Sequence, residues 1–143
     1  MEILRATTLA QRAGAYYVRI QAMARKHHIP LEEEFDGHDT PDTLYIVAVD
    51  DYLPVATCRM YPLDKESMML GRIVVLPEYR HKGLGTLVVK EAEEWAKETG
   101  FTKAVVESRD NKVAFYENMG YTGDYSAPVQ SGSFSCFRME KAL

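Results

Sequence analysis

Residues 79–86 read Tyr79-Arg80-His81-Lys82-Gly83-Leu84-Gly85-Thr86, a basic triplet followed by two glycines one residue apart. Side chains of these types beside a helix start suit an anion. The first N–H groups of a helix lack intrahelical partners and carry partial positive charge. Glycine lets a ligand come close to the backbone, and Arg80, His81 and Lys82 add charge beside it, which favours a diphosphate over a single carboxylate. Two familiar phosphate loops fail on spacing. The dinucleotide fingerprint needs a third glycine where Val88 stands, and a Walker A loop needs a Gly-Lys-Ser/Thr end that this stretch lacks. The competing reading is a tight strand-to-helix turn whose glycines serve geometry alone.

Such a loop needs a strand that delivers the chain and a helix that leaves it. Leu70 to Leu76 reads as the strand, while Leu84, Leu87, Val88, Ala92, Trp95 and Ala96 share one helical face that stops before Gly100. Upstream, Glu2 to Ala6 reads as a first strand. Helical spacing of Leu9, Ala13, Tyr16 or Tyr17, Ile20 and Met23 or Ala24 then predicts a helix to about His27, with Pro30 closing the connection beyond it. Leu44 to Val49 and Pro54 to Tyr61 read as a hairpin joined near Asp50-Asp51. Beyond the second long helix come a strand at Lys103 to Glu107 and a short helix from Asn111 to Asn118, with Asn111 as N-cap and Gly120 as terminator. Tyr121 to Tyr125 and Phe134 to Met139 read as two last strands, separated by a mobile Ser126–Ser133 loop. The order is that of a single α/β domain over residues 1–143, with a mixed, mostly antiparallel sheet flanked by helices.

Composition narrows the class of function. A chain of 143 residues with 46% hydrophobic and 27% charged residues reads as one soluble domain without a membrane span. Its net charge of −4 disfavours nucleic-acid binding, so any phosphate site must be local. The N-terminus shows no apolar leader, and a cytoplasmic location is the expectation. Cys58 and Cys136 lack metal-type spacing and read as free thiols. His27, His28, His38 and His81 show no ligand pattern and read as surface or turn residues, so no metal is expected. The acidic run Glu32-Glu33-Glu34 with Asp36 reads first as a solvated face.

Arg80-His81-Lys82-Gly83-Leu84-Gly85 matches the Arg/Gln-x-x-Gly-x-Gly/Ala pattern of the GNAT acetyltransferases, set between an apolar strand and an amphipathic helix as in that family. Downstream, Val113-Ala114-Phe115-Tyr116-Glu117-Asn118-Met119-Gly120-Tyr121 resembles the tail of the family's second signature. The resemblance implies that acetyl-CoA is the co-substrate. It places the pantetheine beside Ile73, Val74 and Val75, and the pyrophosphate on Arg80, His81, Lys82, Gly83, Leu84, Gly85 and Thr86, with Asn111 as a further contact. Tyr116 matches the tyrosine near the CoA sulfur and would act as general acid, while a backbone N–H near Val75 would meet the oxyanion. The implied reaction is acetyl transfer to an amine of a small molecule or peptide, by a chain that also resembles frequent homodimers. In that family the acidic run would border the acceptor cleft, drawing a cationic acceptor or relaying its proton. The polar, uncharged Ser126–Ser133 loop argues weakly against a strongly charged acceptor. The rival is an acyl-CoA-binding sensor or interaction module that transfers nothing.

Overall fold

A computed structural model describes residues 1–143. Eight strands form one sheet in the order β1-β2-β3-β4-β5-β8-β6, with β7 paired to β8. These are β1 (Glu2–Arg5), β2 (Leu44–Asp50), β3 (Leu53–Pro62), β4 (Ser67–Val75), β5 (Lys103–Arg109), β6 (Thr122–Gly123), β7 (Val129–Ser131) and β8 (Phe134–Ala142). The β4–β5 pair is parallel and every other pair antiparallel. No helix is long and apolar enough to cross a membrane.

α1 (Leu9–Arg19) starts on a capping box: Thr8 Oγ1 accepts from the Gln11 N–H, and Gln11 Oε1 accepts from the Thr8 N–H. It continues through a π turn at Ile20–Ala24 into α2 (Arg25–His27), and His28 ends it in the left-handed region at φ 55°. The spacing therefore marked both ends of this helix but not its π turn, which inserts one extra residue per turn immediately after the buried Arg19. Pro30 opens rather than closes a feature, since α3 (Leu31–Glu34) begins directly after it.

Successive β2 side chains go to opposite faces, as a strand requires. Tyr45 and Val47 pack with Ala6 and Ala15, whereas Ile46 and Ala48 join the main cluster. That cluster also takes Val88, Val89, Ala92 and Ala96 from α4 (Leu84–Glu98), the helix read from the sequence. α5 (Val113–Glu117) is shorter than expected. Its N-cap is Lys112 without a side-chain hydrogen bond, and Asn111 sits one residue earlier in a 3-10 turn at Asp110–Lys112, so the expected Asn111 cap is not formed. The Ser126–Ser133 segment is not a plain loop either: β7 lies within it and pairs Val129, Gln130 and Ser131 with Cys136, Ser135 and Phe134. Tyr121 to Tyr125 contributes only the two residues of β6.

Candidate active site

β4 and β5 pair only from Ser67–Leu70 against Lys103–Val106. Beyond Leu70 the two strands part, although β4 runs on to Val75 and β5 to Arg109. One edge of Gly71–Val75 is thus left without a strand neighbour, and an unpaired strand edge offers N–H and C=O groups to an extended ligand. A bulge sharpens the departure. Arg59 pairs with Gly71 and Thr57 with Val74, so Arg72 and Ile73 together face Cys58, and Arg72 takes φ 48°. Its guanidinium holds this conformation by donating from Nε and Nη2 to the Glu34 carbonyl at 3.1 and 3.0 Å.

The gap opens into a cleft of about 940 Å³. Of the residues predicted to hold a cofactor, Ile73, Val74, Val75, Arg80, His81, Gly83, Leu84, Gly85, Thr86 and Asn111 all line it, and so does Tyr116. Lys82 does not: its ammonium stands 5.1 Å from the centre of the Tyr79 ring, and the Tyr79 hydroxyl donates to Asp50 at 2.8 Å. The triplet therefore splits, with Arg80 and His81 lining the cleft and Lys82 not.

The two glycines do different work. Gly83 is the N-cap of α4 at φ 79°, and a Cβ there would meet nothing within 4 Å, so this end of the helix stands open. The first intrahelical bond is Leu87 N–H to Gly83 C=O, which leaves the N–H groups of Leu84, Gly85 and Thr86 as free donors with no acidic residue in that turn. At Gly85 a Cβ would stand 3.3 Å from Phe115 Cζ. That glycine lets the α5 aromatic lie on the first turn of α4, which brings the neighbouring Tyr116 to the cleft.

Tyr116 is 8% exposed, and its hydroxyl takes no hydrogen bond within the protein. Burial, with smaller effects of Cys58 and Cys136, pushes its pKa far above the usual tyrosine value, so the proton stays on at neutral pH. Tyr121, the end of the second motif, is an anchor: its hydroxyl donates to Glu93 Oε2 of α4 at 2.7 Å. His27, read as a surface residue, lines the cleft too. Burial and then the charges of Arg109, Lys26 and Arg80 lower its pKa.

The acidic run is not a solvated face. Glu32 is exposed, but Glu34 is 2% exposed and takes Arg19 Nε at 2.9 Å, with Arg72 Nε 3.2 Å away. Asp36 pairs with Arg59 at 2.9 Å, and Asp39 pairs with Arg19 and Arg59 at 2.6 and 3.0 Å. Burial alone would raise the Asp39 pKa. Hydrogen bonds from Arg19 and Tyr45 and the charges of Arg19 and Arg59 outweigh it and hold the carboxyl well below the usual range. Glu33 accepts from the Ser133 hydroxyl, which ties the start of β8 to α3. Sequence reading missed Arg59, Tyr61, Arg72, Glu107, Arg109 and Phe134, all of which line the cleft. Both cysteines are free, as expected, and no group of three or more His, Cys, Asp or Glu side chains is placed to hold a metal ion.

The Acetyltransferase (GNAT) family profile matches residues 8–121. An uncharacterized acetyltransferase of Streptococcus pyogenes is 31% identical over 113 residues, covering 79% of this chain and 77% of that one. A candidate N-acetyltransferase of Lactobacillus plantarum superposes with a TM-score of 0.91 at 31% identity, over 99% of this chain and 97% of that one. The crystal structure of a GNAT family acetyltransferase from Elizabethkingia anophelis with acetyl-CoA bound gives a TM-score of 0.71 at 18% identity, covering 99% and 97%.

Proposed function

The chain belongs to the GNAT acetyltransferase family, and from that premise we propose that it moves an acetyl group from acetyl-CoA to an amine of a small molecule or peptide. One GNAT domain then accounts for residues 1–143, and a cytoplasmic enzyme is the matching setting. The observation that carries the reading is the parting of β4 from β5 beside the unpartnered hydroxyl of Tyr116.

The residues present fit the co-substrate. Free amides of Leu84, Gly85 and Thr86, with Arg80 and His81 beside them, suit a pyrophosphate. The open edge of β4 at Ile73–Val75 suits the peptide-like amides of pantetheine. When bound, acetyl-CoA supplies the acetyl group as an activated thioester. Tyr116 gives its proton to the sulfur as the C–S bond breaks and the amine nitrogen takes the acetyl group; the proton shed by the amine then restores the tyrosine. Tyr116 is protonated at neutral pH, the form in which a general acid must start. A sensor that only binds acyl-CoA would have no use for an unpartnered hydroxyl at this point.

The test is CoA release in the presence of acetyl-CoA and a panel of amines, aminoglycosides, polyamines and peptide N-termini. Acetyl-CoA-dependent release with at least one acceptor, lost in Tyr116→Phe, is the expected result. CoA binding without release across the panel would favour the sensor.

A further inference from the structure

Arg59 is 4% exposed yet forms part of the cleft wall. All of its hydrogen bonds leave from one corner of the guanidinium: Nη1 donates to Asp36 Oδ1 at 2.9 Å and to Asp39 Oδ2 at 3.0 Å. Nε is enclosed and has no partner, the sole buried side-chain nitrogen or oxygen in the chain of which this is true. Nη2 donates to no protein atom either. Leaving a charged donor buried and unmatched is costly, and every other member of this ionic cluster is matched.

The unmatched edge has a shape. In a guanidinium the Nε–H and Nη2–H bonds run parallel, spaced for the two oxygens of one planar anion. The surroundings select among anions. Arg19, Arg59 and Arg72 stand against Glu34, Asp36 and Asp39, so the cluster is already balanced. A phosphate dianion would be repelled by three nearby carboxylates, and a lone carbonyl would satisfy only one of the two donors. A planar monoanion meets both demands. Arg109 lines the same cleft with no ion pair, its guanidinium 4.2 Å from the centre of the Phe134 ring, and adds positive charge.

We propose that the acceptor carries a carboxylate as well as its amine, and that the Nε/Nη2 edge of Arg59 receives that carboxylate. The acceptor class is therefore an amino acid or a short peptide-like amine acid. This rests on the acetyl-transfer reading of the same cleft. Arg59 is a specificity-determining residue, and its partners Asp36 and Asp39 hold the fork in place.

Product-shaped probes test it: the N-acetyl derivatives of glycine, β-alanine, leucine and phenylalanine, each as free acid and as methylamide, titrated calorimetrically into the CoA-saturated protein. At least one acid should bind tenfold or more tightly than its methylamide. Arg59→Lys keeps a charge for Asp36 and Asp39 but has no fork, and it should erase that difference. Equal binding of acids and methylamides, no binding of any acid, or a preference that survives in Arg59→Lys would each overturn the proposal. The comparison on the unaltered protein decides even where the variant folds poorly. CoA release with amines that lack a carboxylate, together with no acid preference, would sink this inference and leave acetyl transfer standing. Tight acid binding with no release from any amine would do the reverse.

Discussion

Replacing Asp39 by asparagine should remove about 3–5 kcal/mol of folding stability, the range for breaking a buried ion pair from one side. The carboxylate accepts from Arg19 Nη1 at 2.6 Å and Nη2 at 3.0 Å, from Arg59 Nη1 at 3.0 Å, from the Tyr45 hydroxyl at 2.5 Å and from the Asp36 N–H at 3.0 Å. Arg19 is 0% exposed and Arg59 4%, so neither charge can turn to solvent once its partner is neutral. Asparagine keeps the volume, but one of its two positions becomes a donor facing donors. Against a total stability of about 5–15 kcal/mol for a domain of this kind, the loss is a fifth or more. It should lower the melting temperature by roughly 10–15 °C, at a few degrees per kcal/mol. Urea unfolding followed by circular dichroism measures it, with the slope unchanged and only the midpoint moved. Glu140→Gln is the control. It removes an exposed pair with Lys103 at 3.4 Å, where a change of no more than about 1 kcal/mol is expected. If Asp39→Asn costs no more than this control, the buried cluster does not hold α1 and α3 to the sheet, and the reasoning fails.

Tyr116→Phe should reduce kcat about 100-fold or more, since a positioned acid is worth at least that, while the Kd for CoA measured by calorimetry stays within about twofold; unchanged turnover across pH would remove Tyr116 from the chemistry. Gly83→Val puts a branched side chain at φ 79° in the open space over the α4 N-terminus. CoA affinity should fall more than about tenfold, beyond a strain cost of roughly 1–2 kcal/mol, and unaltered affinity would contradict the pyrophosphate assignment. The folded pKa values of Asp36 and Asp39 lie below their unfolded ones. Their contribution to stability is therefore complete above about pH 5 and is lost as pH falls below about 4 toward the folded values. Urea midpoints should drop between pH 5 and pH 3, less steeply in Asp39→Asn, and parallel curves for the two proteins would refute the assignment.

What the sequence showed most clearly was whatever depends on neighbours along the chain. The apolar face of α4, the glycine at its N-cap and the Phe115-Tyr116 pair are local patterns, and the structure puts Gly83, Phe115 and Tyr116 at one cleft with the apolar face of α4 in the core. The acidic run was misleading for the opposite reason. Arg19 and Arg59, which neutralise it, lie on α1 and β3, 15 and 23 residues from the acids they meet, and no periodicity connects them. Arg59 carried a faint signal as the one charge inside the otherwise uncharged run of β3, which is the kind of residue that is buried only with partners. Asn111 lost the cap because the chain spends Asp110–Lys112 on a 3-10 turn first, and Lys82 stands over the Tyr79 ring instead of lining the cleft. Neither competition is visible in residue types alone.

The four-residue ladder between β4 and β5 is the one backbone link between the first four strands of the sheet and the last four. The rest of that boundary is cleft, so the sheet behaves as two leaves stitched along a short seam. A molecule lying in the gap and bonded to both leaves supplies the rungs that the strands omit, and its affinity becomes part of the protein's cohesion. At 100 times its Kd such a molecule adds about 2.7 kcal/mol to the resistance to unfolding. Melting temperature is then a reporter of occupancy that requires no knowledge of the reaction, and libraries of amine acids can be ranked by how firmly they close the seam.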